Sequence, residues 1–292
     1  MKWVLFLLAT AAVYQVVVLL ALAVAWRNAR VPSRRTPADR GVGFAEVRFP
    51  TAHGRALYGW WIPGGAGEPR PVVVLVHGWG RNAERMLPYV SMLHPLGVHL
   101  LAFDARHHGL SDEDSYSSML KVSEDVRAAI DFATAQPGVD QDRVAVLGLS
   151  IGGAASIHAA AHDRRIRAVA TAGAFADPRN AMVMPGRWGF LVKPALPLAF
   201  RYIEWRIGAR FAKIAPEAVI ARAAARFLIV HGDADAVVPV AQAYRLAAAA
   251  GERAKLWIMP GRGHSDTHLE PGYPETLVSF LAATLEWPAI RS

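Results

Sequence analysis

Gly148-Leu149-Ser150-Ile151-Gly152 lies between Val144–Leu147, an apolar run with the length of a buried strand, and Ile151–Ala161, a segment that reads as a helix. A G-x-S-x-G sequence in that context predicts a sharp strand-to-helix reversal that lifts the serine hydroxyl above the sheet. Such a turn strains the serine backbone and leaves no room for side chains beside it; Gly148, Gly152 and Gly153 supply that room. Ser150 also stands at a helix amino terminus, where unpaired amides favour developing negative charge. It is the candidate nucleophile.

Working outward, strand-like and helix-like segments alternate. Gly43–Phe49 and Arg55–Ile62, joined by Ala52-His53-Gly54, predict an opening hairpin. Val72–Val76 and Val98–Phe103 are runs typical of strands buried on both faces, and Ile166–Ala172, Phe227–Val230 and Lys255–Met259 repeat the theme. Between them, helices are expected over about 82–93, 116–136, 241–250 and 273–287. The pattern predicts an α/β fold with a doubly wound, mostly parallel sheet whose ligand site lies at the carboxyl ends of the strands. Residues 175–226 break the rhythm, being basic, Pro-rich and apolar at Met182, Met184, Trp188, Phe190, Leu196, Phe200, Tyr202 and Trp205. This stretch reads as a helical cap over the strand ends that lines an apolar pocket or dips toward a bilayer; an ordinary helical subdomain burying its own core is the competing reading.

Three further loops belong with the serine. His77-Gly78-Trp79-Gly80 follows the first buried strand, His231-Gly232-Asp233-Ala234-Asp235-Ala236-Val237-Val238-Pro239 follows the next-to-last, and Gly261-Arg262-Gly263-His264-Ser265 follows the last. With these in view, the chain from about residue 43 to 287 resembles an α/β-hydrolase, near the branch of acylglycerol-lipase-like and dienelactone-hydrolase-like esterases. The resemblance implies that the backbone amides of Trp79 and Ile151 form an oxyanion hole, that His264 is the general base, and that Asp235, matched by the family's G-x-x-D-x-x-V-P loop, orients it. Asp233, expected as a turn residue, and Asp177, after the preceding strand, remain rivals for the acid. His268, lacking the Gly-x-Gly approach, is expected to be an exposed loop histidine. Asp104, Arg106, His107, His108 and Gly109 resemble the family's D-x-R-G-H-G loop, which supports the oxyanion strand; His107 stands where that family carries glycine. A metal site of His77, His107, His108 and His231 has no ligand spacing to support it, and no metal or organic cofactor is expected.

The 292 residues suffice for one catalytic domain with appendages, and the absence of cysteine excludes disulfides, thiolate metal sites and a cysteine nucleophile. Residues 3–26 form an uncharged apolar run bounded by Trp3 and Trp26. As a helix it would be long enough for a hydrocarbon core of roughly 30 Å. An uncleaved anchor is the reading preferred here; Ala23-Val24-Ala25 leaves a cleaved signal peptide as the alternative. The net charge of +8 is concentrated in residues 27–40, at +4, and residues 177–226, at +6. Basic charge beside an apolar segment points to anionic lipid head groups, and no nucleic-acid-binding motif accompanies it. Five arginines follow the run against Lys2 before it, which places the catalytic domain in the cytoplasm by the positive-inside rule. The expected organisation is therefore a transmembrane anchor over 1–26, a basic linker over 27–42, and a catalytic domain over 43–292 with its cap at about 175–226.

These features predict a serine hydrolase that cleaves carboxylic esters, lipid-like or long-chain, through an acyl-enzyme on Ser150. A peptidase or thioesterase with the same three residues is the first alternative. A non-catalytic binding protein that retains the fold is the second.

Overall fold

The structure, a computed structural model, describes residues 1–25, 28, 30–181 and 192–288. Trp26, Met182, Met184, Trp188 and Phe190, named above from the sequence, lie outside the described residues. Eight strands form one sheet: β1 (Ala45–Thr51), β2 (Arg55–Ile62), β3 (Arg70–Val76), β4 (His99–Asp104), β5 (Val139–Leu149), β6 (Ile166–Ala172), β7 (Arg226–Gly232) and β8 (Ala254–Met259), in the order β1-β2-β4-β3-β5-β6-β7-β8. β1 and β2 pair antiparallel, β2 runs antiparallel to β4, and every other pairing is parallel.

Strand β3 explains why the sheet needs two helical layers. Side chains of a strand alternate between faces; Val72, Val74 and Val76 join one core with the helices α3 (Met119–Thr134) and α4 (Ile151–Ala160), while Val73 and Leu75 join another with α2 (Leu87–Leu93) and the helix Tyr273–Leu285. All five are fully buried. Burying each such side chain stabilises the fold by about 1.5–3 kcal/mol, which a sheet open on one face would forgo.

The predicted boundaries hold closely, with instructive departures. β5 begins at Val139, five residues before the apolar run, because Val139 pairs with Arg70 of β3 although residues 140–143 are polar and partly exposed. The expected helix over 82–93 opens as a 3-10 turn, Ala83–Met86, where the Asn82 side chain accepts a hydrogen bond from the Glu84 amide.

Residues 30–42 are not a free linker. The Arg34 amide and the Arg35 guanidinium both donate to Glu84, Asn82 Nδ2 donates to the Val31 carbonyl at 2.9 Å, and Pro37 and Val42 are buried. Arg30 pairs with Glu113 at 3.0 Å and donates to the Ser111 carbonyl. Two of the arginines expected to face lipid head groups are thus engaged with carboxylates of the domain. The chain straps itself onto the sheet end before it enters β1.

The inserted stretch supplies the short helix Pro178–Ala181, the longer helix Leu196–Ile207, and short turns at Phe211–Ile214 and Pro216–Val219. Of its described residues, Phe211 and Ile214 line one cavity with Ser150, at the carboxyl end of β5.

Just after β4, Arg106 is buried and locked to Asp125 of α3 by Nε–Oδ1 at 2.6 Å and by its own amide to Oδ2 at 2.8 Å, with further bonds to the Lys121 carbonyl and Glu124. Arg106→Ala would leave Asp125 buried without its cation, a change that typically costs about 3–5 kcal/mol. Thermal or denaturant unfolding of the purified protein should show that loss, and Asp125→Asn with Arg106→Met together should lose less than Arg106→Ala alone.

Candidate active site

The loop after β5 reverses at Ser150, whose φ of 53° and ψ of −120° lie outside the ordinary regions for an L-residue. The reversal brings backbones into direct contact. A Cβ at Gly148 would lie 2.5 Å from the Gly152 carbonyl, and one at Gly152 would lie 2.5 Å from the His77 oxygen. The Ser150 amide donates to the Ala172 carbonyl at 2.9 Å, pinning the turn to the end of β6.

One residue beyond that carbonyl, Gly173 adopts φ +66°, and a Cβ there would lie 3.0 Å from His264 Nδ1 and 3.5 Å from Asp235 Oδ2. The imidazole therefore rests on a glycine next to the serine turn. His264 Nδ1 stands 2.7 Å from Asp235 Oδ2. A carboxylate offers only acceptors, so Nδ1 carries the hydrogen and Nε2 keeps its lone pair. Among the described residues the Ser150 hydroxyl makes no hydrogen bond to this imidazole; such contacts are commonly long before substrate arrives.

Asp235 is buried and fully used. Its Oδ1 accepts from the Val237 and Val238 amides, each at 2.8 Å, and its Oδ2 lies 3.3 Å from His231 Nε2. Burial alone would raise its carboxyl, but the bonds from His231, His264 and Val238 outweigh that and hold it far below the usual carboxylate range. The two rivals stand elsewhere: Asp233 Oδ1 accepts from the Gly261 amide at 2.7 Å, tying the β7 loop to the β8 loop, and Asp177 is held by Arg179. His231, considered above only as a metal ligand, bonds the Val238 carbonyl through Nε2 at 2.8 Å and stands beside Asp235 as its second neighbouring imidazole. The i,i+4 spacing of His231 and Asp235 was the available signal. Gly173, equally unread, was signalled by the Ala-Gly-Ala run that closes β6.

The His264 loop is held by Gly263 N to Asp266 Oδ1 at 2.7 Å, by Ala234 N to the Arg262 carbonyl at 3.0 Å, and by the Arg85 guanidinium on the Ser265 carbonyl. His268 is half-buried against the Tyr89 ring rather than exposed, because the turn Thr267–Leu269 folds back over α2.

Trp79 and Ile151 line the same cavity as Ser150, and a Cβ at Gly78 would stand 3.5 Å from Ser150 Cβ, so the His77–Gly80 loop runs against the serine. Two buried imidazoles hold that loop. His77 bonds the Gly78 carbonyl through Nδ1 at 2.7 Å and the Ala105 amide through Nε2 at 3.0 Å; His108 bonds the Arg106 carbonyl through Nδ1 and receives the Gly80 amide on Nε2 at 3.3 Å. Each ring nitrogen is occupied by protein, which leaves neither residue a ligand position for a metal. Burial pushes His77 down to about 4, and burial with the neighbouring His77 pushes His108 down to about 3.

The cavity measures about 710 Å3. Its walls are mostly apolar, with Met119, Leu120, Phe175, Ile203, Phe211 and Val238 prominent among them. Among the described residues of the lining there is no carboxylate, and Arg206 is the one fixed charge.

Residues 67–212 match the family model described as serine aminopeptidase, S33. The chain belongs to this family of α/β hydrolases. An uncharacterized protein of Mycobacterium tuberculosis is 29% identical to this hydrolase over 244 residues, spanning 83% of this chain and 79% of its own. An esterase of Pyrococcus furiosus shares the fold at a TM-score of 0.69 and 20% identity, covering 89% of this chain and all of its own. A puromycin-hydrolyzing peptidase of Mycobacterium tuberculosis does so at 0.66 and 19%, covering 85% of this chain and 40% of its own. At these identities the structural likenesses establish the fold alone.

In the unfolded hydrolase His77 and His108 take up protons from about pH 6.5 downward, whereas in the folded one they resist until about pH 4 and 3. The unfolded state therefore binds more protons across that window, and stability falls as pH falls. The unfolding midpoint should decline between pH 6.5 and 4 in the wild type and less steeply in a His77→Asn, His108→Gln double variant. Equal slopes would remove these imidazoles as the cause.

Proposed function

We propose that the chain is a membrane-anchored serine hydrolase that cleaves lipid-like carboxylic esters through an acyl-enzyme on Ser150. The observation that carries this reading is the 2.7 Å contact of Asp235 with His264, seated on Gly173 beside the strained Ser150 at an apolar cavity. In the reaction, Ser150 Oγ attacks the acyl carbonyl and its proton passes to His264 Nε2. The amides of Trp79 and Ile151 receive the oxyanion, each such donor being worth about 2.7–4 kcal/mol in the transition state. His264 then protonates the departing alcohol, the acyl group stays on Ser150, and water deprotonated by His264 releases the acid. Asp235 remains ionised throughout and holds the imidazole in the required tautomer.

Two features favour an acyl ester over a peptide with a free amino terminus. The walls are apolar, and the charge they carry is the cationic Arg206, which would repel a substrate ammonium that no carboxylate in the described lining receives. A thioester is the second reading, since the same attack and oxyanion serve it and the apolar walls suit its acyl chain equally.

For the anchor, the helix α1 (Lys2–Ala25) is long and apolar enough over Lys2–Ala21 to cross a membrane. Val18 packs with Ala195 and Ala199 of the inserted stretch, a contact that favours retention of the helix over its removal as a signal sequence. The arginine-rich flank favours a cytoplasmic catalytic domain.

A fluorophosphonate probe should label the wild type and not Ser150→Ala. Asp235→Asn should lower kcat on p-nitrophenyl esters by on the order of 10^4, as loss of the orienting acid does where the tautomer is lost. Rates on matched ester, thioester and aminoacyl-amide substrates then rank the acyl classes, with the ester expected to lead. Labelling that survives in Ser150→Ala, or a folded wild type that hydrolyses none of them, would overturn the reading.

A further inference from the structure

We propose that the helix Leu196–Ile207 is a second membrane contact, and that the cavity opens at the bilayer surface beside α1, so that substrate enters sideways from the leaflet. This deepens the serine-hydrolase reading and rests on it for the fate of the substrate, though not for the membrane contact itself.

The helix has three faces. Leu196 and Ala199 are buried, and Phe200, Ile203 and Ile207 pack against the main core. On the remaining face Leu198, Tyr202 and Trp205 recur at i, i+4 and i+7 and are 59%, 47% and 74% exposed. Large apolar side chains aligned on one exposed face are costly in water and mark a contact surface. Tyr202 and Trp205 are also the residue types that favour the boundary between hydrocarbon and head groups.

What covers that face is given by α1. Gln15 Nε2 donates to the Ala195 carbonyl at 3.3 Å, and Val18 packs with Ala195 and Ala199. Val18 lies three residues inside the end of the membrane-spanning stretch Lys2–Ala21 and seven before the end of the helix. At about 1.5 Å per residue the contact sits ~5–10 Å below the point where α1 leaves the hydrocarbon. A leaflet is roughly 15 Å deep, so a helix held at that level shares the bilayer with α1. Lys193, exposed just before it, has a stem long enough to carry its ammonium toward the head groups.

The cavity points the same way. Ala23 of α1 lines it together with Tyr202, Ile203 and Arg206 of the inserted helix, so one wall of the substrate site is the anchor itself. An acyl chain moving between these two helices would reach Ser150 without crossing water, and Arg206 would stand at the level of lipid phosphates.

The chain has no cysteine, so single cysteines can be placed in the full-length protein without background. Leu198→Cys and Trp205→Cys, labelled with an environment-sensitive fluorophore in phosphatidylcholine nanodiscs, should show blue-shifted emission. Lipids carrying a nitroxide on the acyl chain should quench them several-fold more strongly than the same label at Glu252→Cys, which is exposed at the amino-terminal end of β8, away from Ser150. A Leu198→Asp, Trp205→Asp variant should lose about tenfold or more in rate on bilayer-embedded esters, charge in hydrocarbon being costly, with its rate on a soluble short-chain ester unchanged. Water-like emission at all three positions, or equal losses on both substrates, would overturn the proposal. Fluorophosphonate labelling of Ser150 on the same samples separates the two readings: an unlabelled protein fails the hydrolase reading, whereas a labelled one with a solvent-exposed probe fails only the membrane contact.

Discussion

The chain reversal at Ser150 sets the tolerance of everything around it. A non-glycine residue held at φ 53° costs on the order of 1–3 kcal/mol and persists only where its surroundings over-determine it. Here they do so through successive strand ends. The Ser150 amide is fixed to the Ala172 carbonyl, the Gly173 amide to the Val230 carbonyl at 3.0 Å, and the Asp233 amide to the Met259 carbonyl at 3.1 Å. Serine, glycine, aspartate and histidine loops are therefore stitched to neighbouring strands in sheet order, and a shift at any one would displace its partners. This is why small residues recur at the elbow, where a Cβ would meet backbone atoms at 2.5 Å, and after β6, where the His264 ring lies against Gly173.

The electrostatics follow from the same crowding. Asp235 keeps its charge in a buried place because donors surround it from three directions, and its charge in turn fixes which nitrogen of His264 bears hydrogen. Behind the loop that carries Trp79 the opposite solution holds: His77 and His108 lie with ring centroids 4.9 Å apart, and burial outweighs the nearby Asp104 and lowers both rings. Two imidazoles in that position are stable together only when neutral, and as neutral rings each offers one donor and one acceptor. Both are needed there, to receive the Ala105 and Gly80 amides and to bond the Gly78 and Arg106 carbonyls.

Much of this was legible in the sequence, because apolar periodicity and glycine placement report directly on burial and close approach. Ile166–Ala172 and Ala241–Ala250 occur with the residues their patterns predicted. What escaped was polar pairing over long separations. Nothing local to Arg35 announces Glu84, and nothing local to Asn28 announces His107, since a surface arginine and a paired one have the same neighbours in sequence. The strap over residues 30–42 was accordingly read as a linker. The polar start of β5 escaped for a related reason: half-exposed residues extend a strand through backbone pairing, which leaves no trace in hydropathy.

His107 lies where the loop behind Trp79 meets the segment after α1. It stands where the family loop carries glycine, and its φ of 64° shows what the glycine is for. A histidine there accepts the strain of a left-handed residue. The conformation presents its carbonyl to Asn28 Nδ2 at 2.8 Å, and Asn28, nearly buried at the cavity wall, lies just beyond α1 in the chain. The adjacent residues of this loop, His108 and Asp104, bond the Gly80 and Ala83 amides that follow Trp79. The Asn28 side chain, the His107 carbonyl and the His108 ring thus link the segment beyond α1 to the loop that carries Trp79. Loss of the Asn28 bond would free the His107 carbonyl from its described contact with the segment between α1 and the strap. Asn28 on the His107 carbonyl and Arg30 on the Ser111 carbonyl thus make the segment that follows α1 and the loop behind Trp79 parts of one hydrogen-bonded unit.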